Sequence, residues 1–165
     1  MTYHQDLGTR IQRLEDLEAI RNLHRDYIFW LNNREWDKIV DCFAVDAQIQ
    51  VFYHSRADGI AQIRKLFFDE ISTINTGKGR DAHFTTMPVI RVEGTKASGH
   101  WMLYIMISDA VTGQPQKILQ GRYECEYEKL AGHWKYSKVC WVCPWPRTPE
   151  SKPTLEDVRV LGFDY

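Results

Sequence analysis

The chain has 165 residues, 44% of them hydrophobic and 13% aromatic, which suits one folded domain with a core rather than two domains. Its 21 basic and 22 acidic residues leave a formal net charge of -1, so no global field would attract nucleic acid or a membrane surface. The longest apolar run, around 101–107, is far shorter than the roughly 20 residues of a membrane span, and residues 1–6 lack the apolar core of a signal peptide. We therefore expect a cytoplasmic protein with no nucleic-acid or membrane partner.

The cysteines and the absence of cofactor motifs predict a protein without metal or cofactor. Cys42, Cys125, Cys140 and Cys143 are expected to be reduced thiols in the cytoplasm. Cys140 and Cys143 have the spacing of a zinc or redox pair, but a strand would direct them to opposite faces, and no second pair follows. The sequence has no P-loop, dinucleotide fingerprint, nucleophile elbow or H-E-x-x-H motif.

Apolar residues at three- and four-residue steps predict a long first helix from about Asp6 to Asn32. Its stripe consists of Leu14, Leu17, Ile20, Leu23, Tyr27 and Leu31. A second, short helix is predicted over 36–43, with a buried side made of Trp36, Ile39, Val40 and Phe43. We expect a strand over 47–53 and then a third helix with Asp58 as its N-cap. The stripe of this third helix consists of Ile60, Ile63, Leu66, Phe67 and Ile71.

The second half of the chain predicts an antiparallel meander, because turn residues separate four runs rich in Val, Ile, Tyr and Trp. The runs are 83–92, 96–108, 117–129 and 133–142, and the turns are at 93–94, 112–115 and 131–132. Helices followed by such a meander give an α+β fold with helices on one face of a curved sheet. Four prolines in 144–153 cannot lie inside a strand or helix. We therefore expect a domain over 1–143 and a Pro-rich tail over 144–165.

Three residues are the candidates for chemistry, and each has a structural alternative. His83 stands where a polar run becomes a strand and could serve as a general base near neutral pH, or could simply bond backbone or water. Asn32 could orient it by accepting from the other ring nitrogen, although an Asn at a helix end, like Asn33, also tolerates the left-handed conformation. Tyr27 could polarise a carbonyl or hydroxyl, or could belong to the helical core stripe.

Other aromatic residues and histidines have commoner structural explanations. Sheet packing accounts for Tyr53 and Tyr123. His100 alternates with Trp101 and therefore faces away from the apolar side of its strand. The remaining histidines belong to no constellation and are expected to be structural or exposed: His24, His54 and His133.

The order of elements resembles the SnoaL-like families, cone-shaped α+β domains of the nuclear-transport-factor-two superfamily. The resemblance covers about 14–142 and rests on a helix with Tyr27, then Trp36-Asp37-Lys38-Ile39, then Ala82-His83-Phe84. It ends with a Tyr-x-Lys-x-x-Gly-x-Trp pattern over 127–134, which is common to the superfamily. The chain looks most similar to scytalone dehydratase, bile-acid dehydratase and hexachlorocyclohexane dehydrochlorinase.

The resemblance implies a fold and a site. The fold would be a cone-shaped barrel of a highly curved, mixed but mostly antiparallel sheet with N-terminal helices on its concave side. His83 falls on the base of those lyases, Asn32 on the Asp that orients it in several members, and Tyr27 on a Tyr of bile-acid dehydratase. Where members of the family have polar residues, this chain has Val51, Ile105 or Ile107, and a residue near Tyr123. These replacements leave a more apolar pocket. The expected substrate-binding residues are Val51, Tyr53, Leu103, Ile105, Ile107, Tyr123 and Phe163.

Three functions fit these observations. The first is a cofactor-free lyase or isomerase, of the dehydratase or cyclase type, that acts on a hydrophobic cyclic or aromatic molecule. The second is a non-catalytic small-molecule-binding protein of the same fold. The third is a structural small subunit resembling that of ring-hydroxylating dioxygenases. The resemblance further implies a homo-oligomer, either trimer or dimer, and a tail in which Phe163 and Tyr165 close over the pocket.

Overall fold

The computed structural model describes residues 6–51, 55–73 and 79–142. The helices are α1 (Leu7–Asn33), α2 (Trp36–Val40) and α3 (Ile60–Lys65), and α3 continues into a π-helical turn (Leu66–Glu70) and a 3₁₀ turn (Ile71–Thr73). The strands are β1 (Phe43–Val51), β2 (Ser55–Asp58), β3 (Gly79–Glu93), β4 (Lys96–Asp109), β5 (Pro115–Leu130) and β6 (His133–Val142). The expected tail, Cys143, Tyr53, His54 and Phe163 lie outside the described residues.

The six strands form one curved, unclosed sheet in the order β2-β1-β6-β5-β4-β3. Strands β1 and β6 run parallel, and every other neighbouring pair is antiparallel. The N-terminal helix packs on this sheet, so the α+β prediction of a mixed, mostly antiparallel sheet is confirmed. Strands β4, β5 and β6 lie within two residues of the predicted bounds, because each run alternates and a turn ends it, whereas β3 begins at Gly79 and not at the predicted His83.

Helix α1 has a defined start and end. The Asp6 carboxylate accepts hydrogen bonds from the backbone N–H groups of Gly8 (2.6 Å) and Thr9 (3.2 Å), which caps the first turn. At the other end Arg34 adopts a left-handed conformation (φ 60°) and its N–H group bonds the Leu31 carbonyl. The alternative in which Asn32 or Asn33 takes the left-handed conformation is wrong, because that residue is Arg34. The turn at Arg34 brings its side chain toward strand β3.

The Tyr-x-Lys-x-x-Gly-x-Trp segment attaches α1 to the sheet. Ala131 and Gly132 have positive φ angles (47° and 86°), which form the tight turn between β5 and β6. Lys129 and Trp134 on either side of that turn both donate to the buried Asp16 carboxylate, at 2.7 and 2.9 Å. A buried carboxylate with two donors is satisfied, so this segment fixes the position of α1 over the concave face.

Several features of the first half of the chain differ from the prediction. Helix α2 ends at Val40, because the Tyr136 N–H group donates to the Cys42 carbonyl (2.9 Å) and strand pairing with β6 takes Phe43 into β1. The prediction of Asp58 as an N-cap is wrong: it ends strand β2, and Gly59 (φ 84°) stands before α3 without a side-chain cap. The sequence did not predict β2, a four-residue edge strand, because so short a run carries no periodic signal.

Alternation along β4 separates the two faces of the sheet. Trp101, Leu103 and Ile105 are buried on the concave side, whereas His100 is half-exposed on the other side beside Glu124 (3.9 Å). The prediction that His100 faces away from the apolar side is confirmed. A bulge in β3 at Met87 (φ 50°) shifts the register and bends the sheet. No described helix is long and apolar enough to cross a membrane.

Candidate active site

A cavity of about 400 Å³ lies between the end of α1, the α3 segment and the concave face of the sheet. Its size falls in the range of small-molecule sites, roughly 300–1,000 Å³. Most of its wall is aliphatic or aromatic, and a few polar groups converge at one side. The wall consists of Tyr27, Leu31, Arg34, Trp36, Val51, Ser55, Phe67, Ile71, Asp81, His83, Ile105, Ile107, Leu119, Tyr123 and Trp141.

Asn32 at the end of α1 holds the backbone of His83 through both ends of its amide. The Asn32 Oδ1 atom accepts from the His83 backbone N–H group (2.7 Å), and Asn32 Nδ2 donates to the His83 carbonyl oxygen (2.9 Å). This pairing fixes which end of the amide is oxygen, because a backbone N–H group needs an acceptor and a carbonyl needs a donor. Asn32 thus places His83 at a defined depth in the cavity wall.

The same oxygen determines the tautomer of the imidazole. Asn32 Oδ1 lies 3.3 Å from His83 Nδ1, and an amide oxygen can only accept, so Nδ1 carries the ring proton. Nε2 is then the nitrogen with a free lone pair, and it has no hydrogen-bond partner in the part of the chain that the structure describes. A histidine in this tautomer is set up to take a proton at Nε2.

Two charged residues flank the imidazole. Asp81 precedes His83 by two residues, and its Oδ2 atom lies 3.9 Å from His83 Nδ1. The other carboxylate oxygen, Oδ1, accepts from Arg34 Nη2 at 3.0 Å. Burial lowers the pKa of His83, the Asp81 carboxylate opposes that shift, and the Arg34 guanidinium adds to it. The imidazole is therefore neutral at pH 7, as a general base must be.

Two tyrosines line the cavity next to each other, with ring centroids 6.2 Å apart in an edge-to-face arrangement. Tyr27 comes from α1 and Tyr123 from β5, and both are almost fully buried. Burial is the main cause that raises the pKa of each phenol well above its ordinary value, so both stay protonated. Each protonated hydroxyl carries one proton that it can donate. The pair can thus donate to an oxygen that gains negative charge.

The apolar wall depends on a close approach at Gly121. A Cβ atom there would overlap the Trp141 indole and lie 2.9 Å from the Val142 carbonyl oxygen. Glycine therefore allows the Trp141 ring to lie against β5 as part of the cavity wall. Phe67 and Ile71 reach the cavity from the π-helical and 3₁₀ turns after α3, irregular backbone of the kind that often occurs at functional sites.

The sequence profile of the SnoaL-like domain matches residues 12–139, most of the chain. The chain belongs to the SnoaL-like domain family. No curated protein matches it in sequence. Solved structures of this cone fold do match, among them an NTF2-like protein with a cystatin-like fold from Novosphingobium aromaticivorans. That protein has 20% identity and a TM-score of 0.66, and the match covers 82% of this chain and 88% of the other.

Two further neighbours of this SnoaL-like domain carry enzyme names. A scytalone dehydratase-like protein from Novosphingobium aromaticivorans is 21% identical with a TM-score of 0.65, covering 79% of this chain and 87% of that one. The hexachlorocyclohexane dehydrochlorinase LinA-type3 from Novosphingobium barchaimii is 19% identical with a TM-score of 0.67, covering 85% and 99%. At these identities the likeness shows a shared fold.

The structure brings most of the expected site residues of this SnoaL-like domain together. Six of them line the cavity, and Asn32 binds one of those six; the six are Tyr27, Val51, His83, Ile105, Ile107 and Tyr123. Leu103 does not line the cavity: it shares the concave face of β4 but is fully buried (0% exposed) in the core. Sequence reasoning missed Arg34 and Asp81. The two-residue spacing of Asp81 and His83 on one strand was a signal that could have found the latter carboxylate.

Replacing Asn32 with aspartate is expected to lower the free energy of unfolding by about 1–3 kcal/mol. A carboxylate can still accept from the His83 N–H group, but it cannot donate to the His83 carbonyl, which loses its partner and faces a negative charge. Chemical denaturation at pH 7 measures the change. The matched control is Asn33→Asp, whose amide bonds the Phe29 carbonyl at an exposed position (2.7 Å) and which should cost less. Equal losses in both variants would contradict the double role of Asn32.

Proposed function

We propose that this protein is a cofactor-free lyase or isomerase that acts on a hydrophobic cyclic or aromatic carbonyl compound, with His83 as its general base. The observation that carries the proposal is the imidazole of His83 in an apolar cavity, with Nδ1–H directed at Asn32 and Nε2 left with a free lone pair. An enolisable carbonyl compound suits this site, because its α-proton is already acidic and one base suffices.

The first step would be the same for either reaction class. His83 Nε2 takes a proton from the carbon next to the carbonyl, and the electron pair of the broken C–H bond moves to the carbonyl oxygen to give an enolate. The protonated hydroxyl of Tyr27 or Tyr123, both in the cavity wall, can donate to that oxygen and stabilise it. In a lyase the electron pair then returns and expels a leaving group from the neighbouring carbon. In an isomerase the carbonyl compound also has a C=C bond next to the α-carbon, so the enolate is conjugated with it, and the imidazolium returns its proton to the far carbon of that bond.

The names of two structural neighbours agree with the first of these classes. A dehydratase and a dehydrochlorinase both carry out eliminations, in which a base removes a proton and a group departs from the adjacent carbon. The family membership supports a dehydratase or isomerase type of domain. The substrate class proposed here rests on the cavity, whose wall has more aromatic and aliphatic side chains than polar ones.

Hydrogen–deuterium exchange at carbon tests the proposal without knowledge of the leaving group. Cyclic ketones, aryl ketones and cyclic 1,3-dicarbonyl compounds would be incubated with the protein in D₂O, and NMR would follow the loss of each α-proton signal. We expect the wild-type protein to accelerate exchange for at least one class above buffer. The exposed His133 at the start of β6 provides a control variant, His133→Gln, that should exchange as the wild type does.

Binding without exchange would favour a different function. If ligands perturb the protein's NMR spectrum and saturate, yet no α-proton exchanges faster than in buffer, the lyase and isomerase proposal is wrong. The non-catalytic binding protein would then be the better description of this cavity. The structural-subunit alternative would require neither binding nor exchange.

We also propose that the protein forms a homo-oligomer through the face of the sheet opposite the helices. Phe84 and Ile118 are 53% and 66% exposed there, and Tyr104 lies between their strands, paired with Phe84. Exposed apolar side chains grouped on one face are typical of interaction surfaces. Light scattering would determine the number of subunits. The trimer or dimer, the cytoplasmic location, the domain boundary at 143 and the role of the tail stay predictions.

A further inference from the structure

We propose that Asp81 and Arg34 form a positioning pair for His83, in which the base's own strand supplies the carboxylate and the end of α1 supplies the cation that restrains it. This inference rests on the proposed role of His83. Neither residue would touch the substrate's reacting atoms. Their role is to orient the imidazole and to balance its charge before and after it takes a proton.

The two carboxylate oxygens of Asp81 lie next to different residues, Arg34 and His83. Oδ1 accepts from Arg34 Nη2 at 3.0 Å, and Oδ2 lies 3.9 Å from His83 Nδ1. His83 and Asp81 share a face because successive strand residues alternate. Arg34 reaches that face because the left-handed turn after α1 directs its side chain toward β3. Contacts from two separate elements therefore meet on one carboxylate.

The pair has different effects on the two protonation states of the base. The carboxylate attracts an imidazolium, so it stabilises His83 once it holds the substrate proton. The guanidinium repels an imidazolium and binds one oxygen of Asp81, so it adds to the effect of burial, which is the main cause that keeps the resting imidazole neutral. His83 is 11% exposed and Asp81 26% exposed, so solvent screens these interactions only in part. Without the arginine, the carboxylate would raise the pKa of His83, so a smaller fraction of the resting imidazole would be neutral and able to act as a base.

No other charged group among the described residues faces the imidazole. Helix α1 contributes Arg34 at its end, the Asn32 amide and the Tyr27 hydroxyl, and β5 contributes Tyr123. Both phenols stay un-ionised, as described above. Strand β4 places the apolar Ile105 opposite His83 in the sheet register. Apart from burial, the charges that shift the pKa of His83 are therefore those of Asp81 and Arg34.

An NMR titration of the His83 ring in the full-length protein tests this pair. The ring carbon-bound proton would be followed against pH in the wild type, in Asp81→Asn and in Arg34→Gln. We expect the pKa of His83 to fall in Asp81→Asn and to rise in Arg34→Gln, with the double variant between them. Arg34→Lys keeps the charge and should restore the wild-type titration. Amide spectra of each variant show that it is folded.

Opposite changes in the pKa of His83 in the two single variants distinguish a positioning role from a merely structural one. If both single variants shift the pKa in the same direction, or neither shifts it, the proposal is wrong. Should Asp81→Asn fail to fold, the comparison of Arg34→Gln with Arg34→Lys still decides, since only the former should raise the pKa. The titration needs no substrate. If the pKa of His83 shifts as expected but no α-proton exchange is found, the Asp81–Arg34 pair is supported and the proposed enzyme function is wrong. If α-protons exchange but the pKa does not shift in the variants, the enzyme function is supported and the pair is wrong.

Discussion

Replacing His83 with glutamine is expected to slow carbon-bound proton exchange by about 100-fold to 10,000-fold, the usual contribution of a positioned general base. Glutamine keeps a similar length and polarity, so the cavity and its ligand affinity should change little. It has no nitrogen lone pair that can take a proton near neutral pH. The comparison requires exchange rate constants at saturating ligand and dissociation constants from the same NMR titrations.

A role in the chemical step requires that His83→Gln changes the exchange rate constant without changing the dissociation constant of the ligand. A rate constant that falls while the dissociation constant stays near the wild-type value shows that His83 acts in the chemical step. His133→Gln removes an exposed histidine outside the cavity wall and should change neither quantity. A His83→Gln variant that exchanges at the wild-type rate would show that the base lies elsewhere.

The buried His24 is expected to make the protein lose stability in mild acid. Its ring stacks on Trp101 with centroids 3.8 Å apart, and its Nδ1 atom lies 2.7 Å from the Tyr136 hydroxyl. It is 1% exposed, and burial lowers its pKa from 6.5 to about 3. The sequence could describe this residue only as structural or exposed, and the structure places it in the aromatic core.

The direction of the pH dependence follows from proton binding. Between pH 6.5 and about 3, the unfolded chain binds a proton at His24 that the folded protein does not bind. The stability from this residue is therefore fully present above pH 6.5 and falls as the pH drops, by about 1.4 kcal/mol for each pH unit. Urea unfolding at pH 7, 6 and 5 should show this decline, to which His83 adds in the same direction.

A glutamine at position 24 isolates the contribution of this histidine. His24→Gln should be less stable than the wild type at pH 7, because it loses the stacking on Trp101, but the gap between the two proteins should narrow as the pH falls. His133→Gln serves as the control and should keep the wild-type dependence. Parallel curves for the wild type and His24→Gln would contradict a neutral, buried His24.

Local patterns in the sequence predicted most of the fold. The three- and four-residue stripe that includes Ile20 and Tyr27 gave α1 within one residue at each end, because an amphipathic helix repeats over many turns. Alternation and turn residues gave the four strands of the meander. Boundaries that depend on a partner strand were missed, as at Phe43, where pairing with Tyr136 overrides the helical pattern.

The site was harder to predict, since its polar contacts join distant parts of the chain. Arg34 and Asp81 are 47 positions apart, and only the left-handed turn after α1 brings them together. The resemblance to lyases predicted that Asn32 contacts His83, but it did not predict that the amide would bind the His83 backbone. The amide binds the strand backbone as well as the ring, which makes asparagine a better fit here than an acid.

The pH dependence of exchange, measured for the wild type and His83→Gln on the same ligand, tests the role of His83 most directly. A neutral base with a lowered pKa predicts a rate constant that rises with pH in mild acid and becomes level at a lower pH than an ordinary histidine would give, once the imidazole is unprotonated. The glutamine variant should lack that profile. A wild-type rate that keeps rising tenfold per pH unit above 7, or a profile shared by both proteins, would contradict His83 as the base.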